Sequence, residues 1–327
     1  MKSSQAVCLL LVLFFGLQPN AQSQDRFYSQ IFANRLQLSP ALAGSEESIG
    51  LSITTQARWQ WIGIENHVQQ YGGAYHSSFY TLGRRFGYGL NYQMERTADG
   101  GFTQQKLELH FSHTFEPFMG HFFSIGIAGG IQQQALDFSV LRFPPQLVNG
   151  QWVQRPQIDS IARTYRPDFQ MGLSYFHKNI FAVATIKHLQ DMTFADSVNT
   201  ALNPFYSGTV GFKIALKDSL FGKRMNVNLT PFVHYQRQGR YYIWMLGMNL
   251  ELEALTLSAR YTVKNRWSGG IAFQRGPFQI AYQYDYFSGN IDLATFGHTH
   301  ELSLKCVLDT GPPNRRHKIH LIPLPKF

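Results

Sequence analysis

The feature that most constrains the fold is a strict alternation of apolar and polar residues that recurs along most of the chain. In the segment 86–95, Phe86, Tyr88, Leu90, Tyr92 and Met94 alternate with glycine and polar residues. A two-residue period is typical of a β-strand with one apolar face. The same pattern recurs at segments near residues 49–53, 71–75, 107–115, 123–131, 169–175, 180–186, 206–214, 227–235, 242–250, 255–261, 269–273, 278–286 and 302–308.

These segments predict about fourteen strands, an even number of the kind found in bacterial outer-membrane barrels. Several segments approach the roughly 9 to 11 residues that a tilted strand needs to cross the hydrocarbon layer. Aromatic residues make up 15% of the chain and charged residues only 15%, against roughly 25% charged in soluble proteins. Because strands in lipid must satisfy every backbone group, the sheet has to close. We therefore expect an all-β transmembrane outer-membrane β-barrel.

The first residues have the composition of a secretory signal peptide. Lys2 precedes an apolar run from residue 6 to 17, and Ala21-Gln22-Ser23 forms a cleavage site of the small-x-small type. The run is too short for a membrane-spanning helix. We predict four regions: a signal peptide at 1–23, an N-terminal segment at 24–47, the barrel at 48–308 and a basic, proline-containing periplasmic tail at 309–327.

Charge and cysteine content limit the classes of function. The formal net charge is +9, but the basic residues are scattered and lack the clustered stacking aromatics of a nucleic-acid site. We therefore expect no nucleic acid among the partners. Signal cleavage removes Cys8 and leaves Cys306 alone, which excludes an internal disulfide.

The N-terminal segment begins with QDRFYSQIFANRLQLSPALAG at 24–44 and lies between the export signal and the first strand. Its spacing places Phe27, Ile31 and Asn34 on one face of a short helix, and Ser39-Pro40 ends that helix. We expect the N-terminal segment to be periplasmic and to pack at the periplasmic mouth of the barrel.

The sequence offers few candidates for chemistry. His298 and His300 point the same way on a strand, but they supply only two of the ligands that a zinc site requires. Common nucleotide-binding and hydrolase motifs are missing. Inward charges such as Lys106 and Glu108 are typical of charge balance inside a barrel. We predict no catalytic residue, no metal site and no cofactor.

Two further segments are candidates for contacts outside the wall. The stretch from Ala135 to Arg166 predicts an extracellular loop, either a disordered one or one that meets partners or solutes. In the tail, Arg315, Arg316 and Lys318 are candidates for binding acidic periplasmic partners or wall polymer, although a solvated disordered end also fits this composition.

The N-terminal segment resembles the opening of the PorP/SprF family of outer-membrane proteins, which is associated with type IX secretion and gliding motility in Bacteroidetes. The opening has the form Q-D-x-x-[FY]-S-Q-x-x-x-N-x-L-x-L-N-P-A-x-A-G, and Ser39 replaces its asparagine. A second motif is similar to the segment 58–63, and a closing motif is similar to Gly297 to Glu301, with one additional residue. The opening matches at Gln24, Asp25, Tyr28, Ser29, Gln30, Asn34, Leu36, Leu38, Pro40, Ala41, Ala43 and Gly44, and the second motif at Arg58, Gln60, Trp61 and Gly63.

This resemblance implies a non-enzymatic barrel that assists secretion or cell-surface attachment of cargo proteins, or that tethers secretion components. The implied partners are outer-membrane lipid, type IX secretion components, an exported cargo protein and a periplasmic or peptidoglycan-associated protein. An outer-membrane pore for a small solute is the alternative. The candidate partner-binding residues are Gln24, Asp25, Tyr28, Ser29, Gln30, Asn34, Leu38, Pro40, Ala41, Gly44, Arg58, Trp61, Arg315, Arg316 and Lys318.

Overall fold

The chain folds into one closed antiparallel β-barrel. The structure is a computed structural model, and it describes residues 25, 27–46, 50–81, 84–97, 99–137, 147–148, 151–152, 161–192, 203–218, 225–263, 266–288, 297–309 and 324–325. The described wall contains fourteen strands, which confirms the predicted fold and strand number. The predicted signal peptide at 1–23 lies outside the described residues.

The strands follow one another around the wall in chain order. They are β1 Gly50–Gln60, β2 Val68–Thr81, β3 Arg84–Thr97, β4 Phe102–Phe118, β5 His121–Asp137, β6 Ile161–His177, β7 Ile180–Lys187, β8 Phe205–Phe212 with Ile214–Asp218, β9 Met225–Gln238, β10 Tyr241–Leu252, β11 Leu255–Thr262, β12 Arg266–Arg275, β13 Phe278–Phe287 and β14 Thr299–Asp309. Both segments of β8 pair with β9, so they form one interrupted strand. β1 pairs with β14 from Gly50↔Asp309 to Gln60↔Thr299, which closes the barrel.

The two ends of the barrel differ in their connections. After β2, β4, β6, β10 and β12 the chain turns within two residues, at what we call the short-turn end. The opposite, long-loop end carries the connections 61–67, 138–160, 188–204 and 288–298. Because outer-membrane barrels place short turns in the periplasm and long loops outside, the short-turn end is periplasmic. β1 begins and β14 ends at that end.

Burial alternates along each strand as the sequence predicted. On β4, Leu109 and Phe111 are more than half exposed on the outer face, whereas Glu108 and His110 point inward and are buried. Apolar groups face lipid because exposing them there costs little, while polar groups collect inside. No helix in the described part of the chain is long and apolar enough to span a bilayer.

Two predicted boundaries differ in the structure. The loop predicted at Ala135 to Arg166 is shorter, because β5 continues to Asp137 and β6 begins at Ile161. Within this connection two short strands, Leu147–Val148 and Gln151–Trp152, pair with each other. The other residues of the connection are not among the residues that the structure describes.

The N-terminal segment lies inside the barrel, which corrects its predicted placement at the periplasmic mouth. Its helix α1, Arg35–Leu38, is shorter than predicted, and Asn34 caps the N-terminus because its side chain accepts a hydrogen bond from the Gln37 backbone. Ser39 ends the helix as expected, and a 3-10 turn follows at Pro40–Leu42. Local periodicity predicted the helix, but it carried no information about which surface would bury it.

Candidate functional site

The N-terminal segment runs through the lumen from one end of the barrel to the other. At the long-loop end, the backbone N–H of Asp25 donates to Oε1 of Gln238, 2.5 Å away, at the end of β9. At the short-turn end, the Arg85 guanidinium of β3 donates to the carbonyls of Gly44 and Glu46. The chain therefore enters β1 from the periplasmic end after crossing the interior, and the described side chains of the segment are mostly buried.

An apolar cluster holds the middle of the N-terminal segment to one side of the wall. The Phe32 ring is 1% exposed and packs edge-on against Phe181 and Phe232, with ring centroids 5.8 and 4.9 Å apart. Leu324 of the C-terminal tail joins the same cluster. A hydrophobic patch in a mostly polar lumen thus anchors the segment. The buried cluster comprises Ile31, Phe32, Leu38, Leu42, Phe176, Phe181, Val183, Phe232, Met245 and Leu324.

Glycines in the wall allow the backbone of the 3-10 turn to approach the strands closely. A Cβ placed on Gly126 of β5 would lie 2.3 Å from the Ala41 nitrogen, and one on Gly172 of β6 would lie 2.2 Å from Oγ of Ser39. The Ser124 hydroxyl donates to the Ala41 carbonyl at 2.8 Å. Any larger residue at these glycines would displace the turn.

Three sequence motifs that are far apart along the chain meet in one buried ion network. Arg58 Nη1 lies 2.9 Å from Glu301 Oε2 and 3.2 Å from Asp285 Oδ2. The Glu301 carboxylate also accepts the backbone N–H groups of Ser29 and Gln30, at 2.9 and 3.1 Å. The Ser29 hydroxyl donates to Asp285 at 2.5 Å. The opening motif, the second motif and the closing motif therefore form a single site.

A second network fixes the beginning of the N-terminal segment. His188, directly after β7, has Nε2 2.9 Å from Asp25 Oδ1 and Nδ1 2.9 Å from Asp168 Oδ1. Lys106 pairs with Asp168 and with Glu108, the latter at 2.7 Å. Burial lowers the pKa of His188, but the Asp25 carboxylate and the hydrogen bonds to Asp168 and Asp25 outweigh burial and raise this pKa to about 9. His188 is therefore an imidazolium at neutral pH.

A third network holds the last residues of the N-terminal segment at the short-turn end. The Glu46 carboxylate pairs with Lys305 Nζ at 2.6 Å and with Arg35 at 3.4 Å. His76 Nδ1 accepts the Gly44 backbone N–H at 3.2 Å. Burial raises the pKa of the Glu46 carboxyl. The positive charges of Arg35 and Lys305 lower this pKa by more than burial raises it, so it lies below its ordinary value.

The remaining predicted residues of the N-terminal segment also contact the wall. The Asn34 amide donates to Asn91 Oδ1 at 3.0 Å, and the Leu38 carbonyl accepts from the Thr185 hydroxyl at 3.0 Å. Tyr28 and Pro40 are buried in the lumen.

Four of the predicted residues lie outside the described part, and one lies in a connection at the long-loop end. Gln24, Arg315, Arg316 and Lys318 are not among the described residues. Trp61 follows β1 in the connection 61–67 at the long-loop end, where its φ is 63°. Its neighbour Ile62 donates a backbone hydrogen bond to the carbonyl of His298 at 3.3 Å.

Sequence reasoning missed several partners of the N-terminal segment. The three networks include four buried ionisable residues that were not predicted, namely Asp285, Asp168, Glu46 and Lys305. For those on strands, the signal in the sequence was an ionisable side chain at an inward position, and such positions also occur in a water-filled barrel. Only the path of the N-terminal segment distinguishes a structural ion pair from a solvated one.

The contacts of these networks hold the side chains in place. Both ring nitrogens of His188 are occupied by carboxylates, so neither is available as a base. Among the described residues, no group of three His, Cys, Asp or Glu side chains has an arrangement that could hold a metal ion. His298 and His300 face outward beside β13 and pack against Tyr284, with centroids 5.1 and 5.4 Å apart.

A protein-family model described as "Type IX secretion system membrane protein PorP/SprF" matches residues 20–306. No curated protein sequence matches the chain significantly.

Similar solved structures include a Pseudomonas aeruginosa FadL homologue, with 9% identity, a TM-score of 0.44 and coverage of 84% of this chain and 93% of that one. Acinetobacter baumannii Omp33 has 7% identity, a TM-score of 0.41 and coverage of 80% and 98%. BamA from Haemophilus ducreyi lacking POTRA domains 1–3 has 10% identity, a TM-score of 0.42 and coverage of 80% and 70%.

Proposed function

Because this chain belongs to the type IX secretion system membrane protein PorP/SprF family, we propose that it is a non-enzymatic outer-membrane barrel that assists secretion or surface attachment of cargo proteins or tethers secretion components. The observation that carries this proposal is the N-terminal segment in the lumen. It crosses the interior and is held by three buried ion networks and one apolar cluster.

A segment that crosses the interior favours partner binding over transport through the barrel. A passive pore needs a continuous water path through the lumen. Phe32 and the glycine-lined turn bring the N-terminal segment into direct contact with the wall, which leaves less room for such a path. The surfaces left for partners are then the two ends of the barrel, the long-loop end and the short-turn end. Long loops on a rigid scaffold are common sites of recognition.

The N-terminal segment has a mechanical role in this proposal. Its residues Ser29 and Gln30 bind the ion network of β1, β13 and β14 by hydrogen bonds, and Asp25 pairs with His188 after β7. The segment thereby fixes the relative positions of strands on different sides of the wall. A partner that binds a loop then meets a rigid support. Replacing Tyr28, Asn34 and Pro40 together should spare membrane insertion but impair assembly with the partner.

The test is deletion of the gene, followed by quantification of surface proteins that carry a type IX C-terminal signal. The deletion strain is complemented with the wild-type chain and with the triple variant at Tyr28, Asn34 and Pro40, and outer-membrane levels of both are measured. We expect reduced display of at least one cargo in the deletion strain and in the variant. Unchanged display of every such cargo after deletion would refute the proposal.

A bilayer measurement addresses the alternative function. Purified wild-type protein in planar bilayers should give no steady conductance for a small solute or ion. A stable, reproducible conductance would instead support a solute pore and would contradict a closed, partner-binding barrel.

A further inference from the structure

A small cavity lies between the N-terminal segment and the wall near the long-loop end. It has a volume of about 40 Å³, and its lining includes Ile31 of the segment and Lys187, Phe205, Ser207, His234 and Gln236 of the strands β7 to β9. A water molecule needs roughly 10 to 15 Å³ on this measure, so the cavity has room for a ligand of a few non-hydrogen atoms. Its lining is part polar and part apolar.

Lys187 brings a positive charge to the cavity without a direct carboxylate partner. Its side chain is largely buried, and Nζ donates to the Gln37 carbonyl of the N-terminal segment at 3.1 Å. The ammonium lies 4.8 Å from the centroid of the Phe205 ring. Among the described residues, no carboxylate oxygen lies within 4.0 Å of Nζ. A buried ammonium has three donors, so this one retains the capacity to bind an acceptor.

The neighbouring polar groups add donors on the same side. His234 is held between the Thr209 hydroxyl, 2.8 Å away, and Oε1 of Gln236, 3.4 Å away. With its carbonyl oxygen engaged in this way, Gln236 has its amide N–H₂ available as a donor. The Ser207 hydroxyl lines the same cavity and is a further donor.

We propose that this cavity binds a small monocarboxylate of two or three carbons. The carboxylate would accept hydrogen bonds from Lys187, Ser207 and Gln236, and charge-assisted bonds of this kind are the strongest available to it. The attached methyl or ethyl group would pack on Ile31, Leu38 and Phe205. An anion without an apolar part, such as chloride, would leave the apolar side of the cavity unfilled.

Such a ligand would join the N-terminal segment to the wall. Lys187 belongs to β7, whereas Ile31, Gln37 and Leu38 belong to the segment, so the occupied site adds contacts between the two. Any ligand that binds only the seated segment stabilises that state. This site does not depend on the secretion role, and the two proposals can therefore fail separately.

The experiment uses the purified full-length protein in detergent micelles. Binding of acetate and propionate is followed by saturation-transfer NMR of their methyl signals, with sodium chloride as the competitor at equal ionic strength. We expect saturable binding in the millimolar range and a loss of at least tenfold in affinity in Lys187→Gln. Lys178→Gln, which changes an exposed lysine in a turn at the opposite end, is the matched control and should bind as the wild type does.

A second readout is hydrogen exchange of the N-terminal segment. Acetate should slow exchange at the amide of Leu38, which donates to the Asn34 carbonyl beside the cavity. If Lys187→Gln fails to insert, the double variant Ser207→Ala, Gln236→Ala replaces it and should weaken binding. Absence of saturable binding to the wild type, equal binding by the cavity variants, or equal competition by chloride would each overturn the proposal.

Discussion

Replacing Phe32 with alanine should release the N-terminal segment while leaving the barrel in place. The Phe32 ring is almost fully buried and contacts Phe181 and Phe232 on the wall. Truncation of a buried phenylalanine to alanine costs about 3 to 5 kcal/mol, which includes the cavity it leaves. The strands keep their ladders and their lipid-facing side chains, so this cost falls mainly on seating of the segment and not on closure of the wall.

This cost predicts a large change in the opening equilibrium of the N-terminal segment. At about 1.4 kcal/mol per factor of ten, it increases the opening constant roughly 100- to 4,000-fold. Local opening of this kind is measured by amide hydrogen exchange. In the wild type, the amides of Leu38, Ser39 and Leu42 donate to backbone carbonyls within the segment and should exchange slowly.

The assay compares deuterium uptake of the peptide that covers the N-terminal segment in purified wild type, Phe32→Ala and a control, Phe123→Ala. Phe123 lies on the outer face of β5, away from the lumen. Uptake by this peptide should accelerate in Phe32→Ala only, while wall peptides remain protected. Equal uptake in wild type and Phe32→Ala would refute the reasoning, as would free-peptide exchange rates for the segment in the wild type.

Three further predictions concern the contacts around the N-terminal segment. The folded-state pKa of His188, about 9, lies above its ordinary value of 6.5, so its contribution to stability is complete below pH 6.5 and is lost as pH rises through 9. Amide hydrogen exchange near Asp25, corrected for intrinsic rates, should therefore increase above pH 9. A flat exchange profile from pH 7 to 10 would contradict the imidazolium. Gly126→Ala should unseat the segment in the same exchange assay, whereas Gly73→Ala, with no atom within 4 Å of its added Cβ, should not; equal behaviour of the two would argue against close packing of the turn. Arg58→Gln leaves two buried carboxylates without their arginine and should cost about 3 to 5 kcal/mol, which a lower urea midpoint of unfolding would reveal; an unchanged midpoint would mean that the network is solvated.

The barrel wall could be predicted from the sequence because the alternation within each strand indicates which of its faces meets lipid. In β4, the alternation of Leu107, Leu109 and Phe111 with polar residues assigns one side to lipid before any partner strand is known. A one-residue shift in the register of a strand would turn every apolar side chain of that strand inward. This strong local constraint explains why fourteen strands and the barrel class were predictable.

The path of the N-terminal segment was not predictable, because the contacts that fix it are long-range. Phe32 packs on Phe232, far along the chain, and Ser29 meets Glu301 across a separation of 272 residues. A short helix with a few apolar residues fits a mouth or a lumen equally well. The resemblance to a family identified Ser29, Arg58 and Glu301 as belonging to motifs, but it gave no reason for them to be adjacent.

The tail shows the same limit of local sequence. Its prolines and basic residues favoured an extended, solvated end, yet Leu324 is buried in the cluster around Phe32. A single apolar residue in a polar segment gives little signal by periodicity. The positions of Arg315, Arg316 and Lys318 lie outside the described residues, and their contact with an acidic periplasmic partner stays a prediction.

The most direct test of an N-terminal segment seated in the lumen is a site-specific cross-link in native membranes. In a Cys306→Ser background, Asn34→Cys is paired either with Asn91→Cys, which faces the lumen beside Asn34, or with Tyr92→Cys, which faces lipid. A short thiol cross-linker should join positions 34 and 91 in nearly every molecule and should not join 34 and 92. No cross-link at 34 and 91, in protein that is inserted and heat-modifiable, would contradict the account.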